Sequence, residues 1–298
     1  MPVKLAYIGV VIIWTTTPLA IKWSSSELSF ILSLSLRMSL GLLFLIWLMI
    51  LKGQALPWHR RAIASYCAAS LQLLVSMAVT YWASQWIPSG WMSVIFGLTP
   101  FFTAILAMIW LNEQSLSPIK LLAYVLGLLG LSVMFKSAVD LNQNAIWGVS
   151  AILFAALIQC ISSIWVKKLN TSITAPELLT GGLLVSMPGY WLSWYYLDGS
   201  FPDSISFTSL GCVVYLGLIA TIFGFSWYFY VLSRLAATQV AMINLVTPVL
   251  SLWLGNTFNH ESVTFSVITG TALIVLALAL YQYSEKNKKL WSKKEQEI

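Results

Sequence analysis

The sequence predicts an all-α polytopic membrane protein of ten transmembrane helices, arranged as two inverted five-helix repeats. Three observations carry that reading. The 298 residues are 59% hydrophobic and 9% charged, with a mean hydropathy of +0.83, whereas soluble domains average about a quarter charged residues. A chain this apolar cannot cover its surface with polar groups, so lipid has to solvate much of it. Ten stretches are long enough for a span, which takes about 20 mainly apolar residues. Finally, Thr99-Pro100 followed by Glu113 recurs as Thr247-Pro248 followed by Glu261, at one offset of 148 positions that is half the chain.

The spans are expected over 4–23, 28–51, 62–86, 89–111, 116–136, 144–166, 176–197, 206–232, 236–256 and 262–283. The first follows Lys4 and ends at Lys22-Trp23 without a small-residue cleavage site, so it reads as a permanent helix and not a signal peptide. Lys52-Gly53 through Arg61 separates the second from the third, and Ile87-Pro88-Ser89 the third from the fourth. Asn112 through Ser117, 142–144 and 170–175 set off the fifth, sixth and seventh, and Asp198-Gly199 through Asp203 precedes the eighth. The repeats are then 1–139 and 140–283. The remaining segment, 284–298, carries five lysines and reads as an anchor on anionic headgroups, with no nucleic-acid partner implied.

Lysine and arginine fix the expected orientation, because loops rich in them stay cytoplasmic. With the N-terminus inside, thirteen of the sixteen fall on the cytoplasmic side; Lys22 and Lys136 fall outside and Arg37 within a span. Both termini are then cytoplasmic. Five spans per repeat is an odd number, so the second repeat is upside down relative to the first, with Glu113 facing the cytoplasm and Glu261 the outside. Trp23, Trp58, Trp86, Trp110, Trp147, Trp165 and Trp194 lie near span ends, as interfacial belts require.

Arg37 is the charged residue deepest in a span, at a cost of about 2.5 to 3.5 kcal/mol on insertion scales. Ser29, Ser33, Arg37 and Gly41 share one helix face, which suits a protein interior or a wet cavity; the arginine reads either as an anion contact or as a structural group on neighbouring carbonyls. Gln72, Ser76 and Thr80 form another four-residue stripe beside Tyr81, and their counterparts 148 positions on include Tyr228. Asn244, Thr247, Ser251 and Gly255 lie on one face of the ninth span, matching Phe96, Thr99, Thr103 and Ala107 of the fourth. Pro100 and Pro248 each remove a helical hydrogen bond and free a carbonyl, tolerated in lipid only where protein or water satisfies it, so both kinks are expected to face inward. Trp14 is mid-span, and anchoring Lys22 on Lys167 puts Gln159 opposite it.

All ten acidic residues fall in loops, span ends or the tail, and the two histidines, His59 and His260, lie in loops. No buried carboxylate is available for a proton relay, and no catalytic triad, metal set, phosphate loop or cofactor motif can be assembled. Cys67, Cys160 and Cys212 lie in apolar stretches without a disulfide or metal-ligand spacing and read as small core residues. Catalysis is therefore not expected.

Two five-span repeats, a proline in the fourth and ninth spans followed by a glutamate at the helix end (Pro100 to Glu113, Pro248 to Glu261), and an arginine in the second span (Arg37) together resemble the drug/metabolite transporter superfamily, specifically its EamA type, over essentially the whole chain. The second repeat departs from the first where Leu179-Thr180-Gly181 stands in place of an arginine matching Arg37. The resemblance implies an exporter of amino acids or other small metabolites in a bacterial inner membrane, with a cavity between the halves and alternating access. On that reading Trp14, Arg37, Gln72, Ser76, Thr80, Tyr81, Thr99, Gln159, Tyr228, Asn244 and Thr247 are the candidate pathway residues, and Pro100 and Pro248 the hinges. Glu113 and Glu261 would cap the following helices near Ser117 and Thr264. A membrane scaffold or lipid-handling protein is the alternative, in which the polar stripes are interhelical glue. Gly127 and Gly130 are expected to pack neighbouring helices or a second subunit in a homo-oligomer.

Overall fold

The computed structural model describes residues 2–111, 118–141, 143–245 and 247–296, and these are helical with short connections. We number the rods α1 (Val3–Ser24), α2 (Phe30–Leu51), α3 (Arg60–Ala83), α4 (Ser89–Leu111), α5 (Pro118–Leu141), α6 (Gln143–Leu169), α7 (Ala175–Leu197), α8 (Phe207–Arg234), α9 (Ala237–Asn259) and α10 (Phe265–Gln296). Eight of them contain a stretch long and apolar enough to cross a membrane. In α5 the apolar part, Pro118–Met134, is shorter, and α7 ends in the aromatic run Tyr190 to Tyr196. The last candidate span, Phe265–Ser284, ends next to the expected 283, and α10 continues beyond it as helix to Gln296.

The rods interlock by exchange between the two halves. α1 packs on α8 and α9, while α6 packs on α3 and α4. α2 lies against α7 and α8, α7 against α2 and α3, and α5 pairs with α10. Exposed leucine, isoleucine, phenylalanine and tryptophan side chains such as Leu43, Ile50, Leu128, Trp253 and Phe265 coat the outer faces, as a lipid solvent requires.

Of the two roles expected for Gly127 and Gly130, the structure shows the packing of neighbouring helices within the chain. A Cβ on Gly127 would meet the Phe101 ring at 2.4 Å, and one on Gly130 would meet Ile274 Cγ1 at 2.7 Å and the Gly270 carbonyl at 2.8 Å. A Cβ at Gly181 would lie 2.3 Å from the Tyr66 ring, so a ring occupies the space that a long side chain would need.

Neither α3 nor α8 is uniform. Leu71–Ser76 in α3 and Leu216–Phe225 in α8 are wound as π-helix, and the two segments overlap when shifted by the 148-residue offset. α4 and α9 are also interrupted. Ser89–Phe96 is followed by a turn and then Thr99–Leu111, and in α9 Ala237–Ala241 passes through a 3₁₀ turn, Met242–Leu245, before Thr247–Asn259. Both Thr-Pro pairs thus stand at the start of a new helical segment, where proline is best tolerated.

Candidate functional site

Two lysines set the frame of the site. Lys22 Nζ donates to the carbonyls of Ser84 (3.3 Å) and Ile87 (2.8 Å), just past the end of α3. Lys167 Nζ donates to the carbonyls of Leu232 (3.0 Å) and Leu235, at the end of α8. Residues 84 and 87 shifted by 148 are 232 and 235, so each half ends its third helix on a lysine at the opposite end of the molecule. Unsatisfied terminal carbonyls carry the negative end of the helix dipole, and a cation is the natural partner.

Between these ends, α4 and α9 cross where their helices break. Pro100 cannot donate to the Phe96 carbonyl, and the Thr99 hydroxyl takes that role at 2.8 Å. The same oxygen accepts from Asn244 Nδ2 at 2.6 Å, which ties α4 to α9 through two buried polar groups. Ser93 Oγ donates to Ser251 Oγ (2.8 Å), which donates to the Thr15 carbonyl (2.8 Å) and brings in α1. Thr103 Oγ1 donates to Cys160 Sγ at 3.3 Å on α6. Thr247, the repeat partner of Thr99, is 2% exposed, and its hydroxyl has no partner.

A cavity of about 60 Å³ lies at this crossing. Of the candidate residues, Trp14, Arg37, Thr80, Gln159, Asn244 and Thr247 line it, together with Thr17, Pro18, Ile21, Met77, Met92, Ser93, Phe96 and Phe225. A water needs about 10–15 Å³ by the same measure, so the space takes a few waters and no metabolite in this conformation. The other candidates stand one shell back. Tyr228 lies against the Trp14 ring at 4.9 Å and shares a 2.5 Å hydrogen bond with Ser163. Ser76 Oγ donates to the Ala155 carbonyl of α6 at 2.8 Å, and Thr99 and Tyr81 bond the lining residues Asn244 and Arg37. Gln72 is fully buried away from the cavity, and neither atom of its amide has a partner. Glu113 lies outside the described residues.

Arg37 is 1% exposed. Its Nε donates to Thr221 Oγ1 at 3.0 Å and its Nη1 to Tyr81 OH at 3.3 Å, so it joins α2 to both π-containing helices. Thr221 in turn donates to the Leu216 carbonyl at 2.9 Å, five residues back along the π turn. Gly41, one turn along α2, lets that contact close: a Cβ there would lie 2.8 Å from Thr221 Cγ2.

The two mouths differ. At the Lys22 end, Glu261 is corrected from the expected cap of its own following helix, whose first turn is served by the Thr264 hydroxyl accepting from Val267 N at 3.3 Å. Its carboxylate crosses to the start of α4, accepting from Ser89 N (2.8 Å), Ser89 Oγ (3.0 Å) and Gly90 N (3.3 Å), and also from Asn259 Nδ2 (2.8 Å). Gly90 and Gly255 allow the approach, since a Cβ on either would meet Leu252 or Glu261 itself. At the Lys167 end a vestibule of about 620 Å³ opens between Trp110, Lys167, Lys168, Asn170, Phe229 and Ser233.

Signals for Met77, Met92 and Phe225 are absent from the sequence, because an apolar residue in a mainly apolar helix marks no face of its own. Ser93 was legible only as part of the Ser93–Ser251 pair, which needs the crossing geometry.

The sequence profile of the EamA-like transporter family matches this chain twice, over residues 2–136 and 146–282. The chain belongs to the EamA-like transporter family. It is a multi-pass membrane protein of a transporter family. This EamA-type chain is 26% identical over 296 residues to the uncharacterized transporter YoaV of Bacillus subtilis, covering 97% of this chain and 99% of that one. It is also 26% identical over 200 residues to a probable amino-acid metabolite efflux pump of Escherichia coli, covering 64% and 67%. An inner membrane transporter of Escherichia coli, YedA, matches at 24% over 94% of this chain and 90% of its own. A solved crystal structure superposes with a TM-score of 0.69 at 18% identity, over 94% of this chain and 98% of that chain, which places the EamA-type chain in the same fold.

Proposed function

We propose that this chain exports small metabolites, amino acids or related compounds, across a bacterial inner membrane by alternating access between two inverted five-span repeats, 1–139 and 140–283. The observation that carries the reading is the pairing of Lys22 and Lys167. Equivalent lysines end equivalent helices at opposite ends of the molecule, as inverted repeats around a central site require. The two matches of the family profile support the same division, and the efflux pump of Escherichia coli supports the substrate class.

With both termini cytoplasmic, the Glu261 end faces outside and the vestibule faces the cytoplasm. The conformation is then closed outward by the Glu261–Ser89 contact, contracted at the centre, and widest inward. Substrate enters the vestibule and the halves part at the Thr99–Asn244 crossing. Rocking about the breaks before Pro100 and Pro248 then releases the outer clasp. No carboxylate lines the central cavity among the described residues, which favours export down a gradient over tight proton coupling.

The test is to express the chain in a bacterial host and profile the culture medium by mass spectrometry against the empty host and an equally abundant Asn244→Leu variant. The expected result is a metabolite class that accumulates outside wild-type cells alone. Media indistinguishable among the three strains across amino-acid-rich growth conditions would overturn the export reading.

A further inference from the structure

Among the described residues, the central cavity contains one charge, Arg37, and nothing that neutralises it. Arg37 is buried, and its partners are the neutral hydroxyls of Thr221 and Tyr81. The rest of its guanidinium fork has no protein partner among the described residues, and no carboxylate pairs with it there. Buried arginines inside membranes pair with anions or carbonyls because the lone charge is costly, and a planar guanidinium matches a carboxylate with two parallel N–H donors. A second orphan faces the same space: Thr247 Oγ1, buried and unpartnered, although its repeat mate Thr99 is satisfied twice. Most of the remaining wall is apolar, with Trp14, Phe225, Met77 and Met92, and no acidic side chain lines it. The vestibule at the Lys167 end carries Lys168, set over the Trp110 ring at 5.8 Å.

We infer that the widened cavity is a site for a small organic carboxylate with an apolar body. Arg37 holds the carboxylate, the Thr247 hydroxyl donates to it, and the body lies against Trp14, Phe225 and Met77. This rests on the transport reading only for what happens after binding.

Matched probes separate the charge from the body: 4-methylpentanoate against 4-methylpentanamide, and leucine against leucinamide. Ligand-induced thermal shifts of the purified full chain in detergent are read at millimolar probe. The carboxylate of at least one pair is expected to bind about tenfold or more tightly than its amide, a difference of about 1.4 kcal/mol. Arg37→Gln is expected to abolish the difference and Arg37→Lys to keep part of it. Should Arg37→Gln not fold, Thr247→Val serves, lowering carboxylate binding several-fold and amide binding less, because a hydrogen bond to the charged acceptor is the stronger one. Equal binding within both pairs, no shift with any probe, or an undiminished carboxylate preference in Arg37→Gln overturns the assignment. The two readings fail separately. Carboxylate-selective binding without export removes the transport reading alone, whereas export of neutral or cationic compounds that survives Arg37→Gln removes the carboxylate site alone.

Discussion

The carboxylate of Glu261 accepts a hydrogen bond from the amide of Ser89 at 2.8 Å, 172 residues away in sequence. It satisfies the first amides of α4 from the connection that follows α9, so one side chain closes the same end of the molecule at which Trp23 Nε1 donates to Asn259 (2.9 Å). A helix N-terminus carries partial positive charge and unsatisfied donors, and a carboxylate there fits both.

Replacing Glu261 by Gln removes the charge and keeps the shape. An N-cap acceptor contributes about 0.5–2 kcal/mol, so Glu261→Gln is expected to loosen this mouth without unfolding the protein. The measurement uses Ser93→Cys, a cavity position, in a background with Cys67, Cys160 and Cys212 replaced. Labelling by a membrane-impermeant thiol reagent is expected to rise several-fold with Glu261→Gln; an unchanged rate would remove Glu261 as a clasp.

The freed carbonyl at Phe96 gives a coupled prediction. Thr99→Val deletes both its donor and the acceptor for Asn244, and a buried group left unpaired costs about 1–3 kcal/mol. Pro100→Ala restores a backbone N–H that can reach the same carbonyl. Thermal unfolding in detergent should therefore show Thr99→Val strongly destabilised and the double variant Thr99→Val/Pro100→Ala partly recovered, a non-additive pair. Additive losses would mean that the carbonyl finds another partner.

Much of this arrangement is visible in the sequence. Apolar runs and turn residues locate the rods, and the Thr-Pro repeat marks both helix breaks, because a proline's missing N–H acts locally whatever surrounds it. Lys22 and Lys167, 145 positions apart, each stand near the C-terminal end of a helix. What the sequence hides is set by packing between distant segments. The π turns at Leu71–Ser76 and Leu216–Phe225 have no composition of their own. The sequence points Glu261 to its own following helix, because local caps are the only ones a sequence displays. Gln72 shares the polar stripe of Ser76 and Thr80, yet only Thr80 of the three reaches the cavity, because the π turn shifts the face that a regular helix would present.

Acid should undo a different contact at the Glu261 end. Ser29 Oγ and Ser200 Oγ donate to Asp198 (2.5 and 2.7 Å), and the Ser29 hydrogen bond first, then Ser200, hold that carboxyl below its ordinary value. The Ser206 amide donates to Glu27 (2.5 Å), and this backbone bond is the main cause of the lowered Glu27 value. Folded values below the unfolded ones mean that the stabilisation is present at neutral pH and lost as pH falls through the depressed values, below the ordinary carboxylate range near about 4. Limited proteolysis across 198–206 is expected to accelerate on acidification. Asp198→Asn with Glu27→Gln should give fast cleavage at all pH values; a wild-type rate that does not change with pH would remove the two carboxylates as the ties of this segment.

Gln72 offers the clearest separation of a structural from a transport role. Its side chain is fully buried, and both the carbonyl oxygen and the amide nitrogen lack partners. Each such group costs about 1–3 kcal/mol, and leucine has nearly the same volume without the polar atoms. Gln72→Leu is therefore expected to raise the melting temperature in detergent and to leave export unchanged, since the residue does not line the cavity in this conformation. A stable Gln72→Leu protein with lost export would instead assign the amide to the opposite conformation, where the π turn of α3 rewinds and carries it into the pathway.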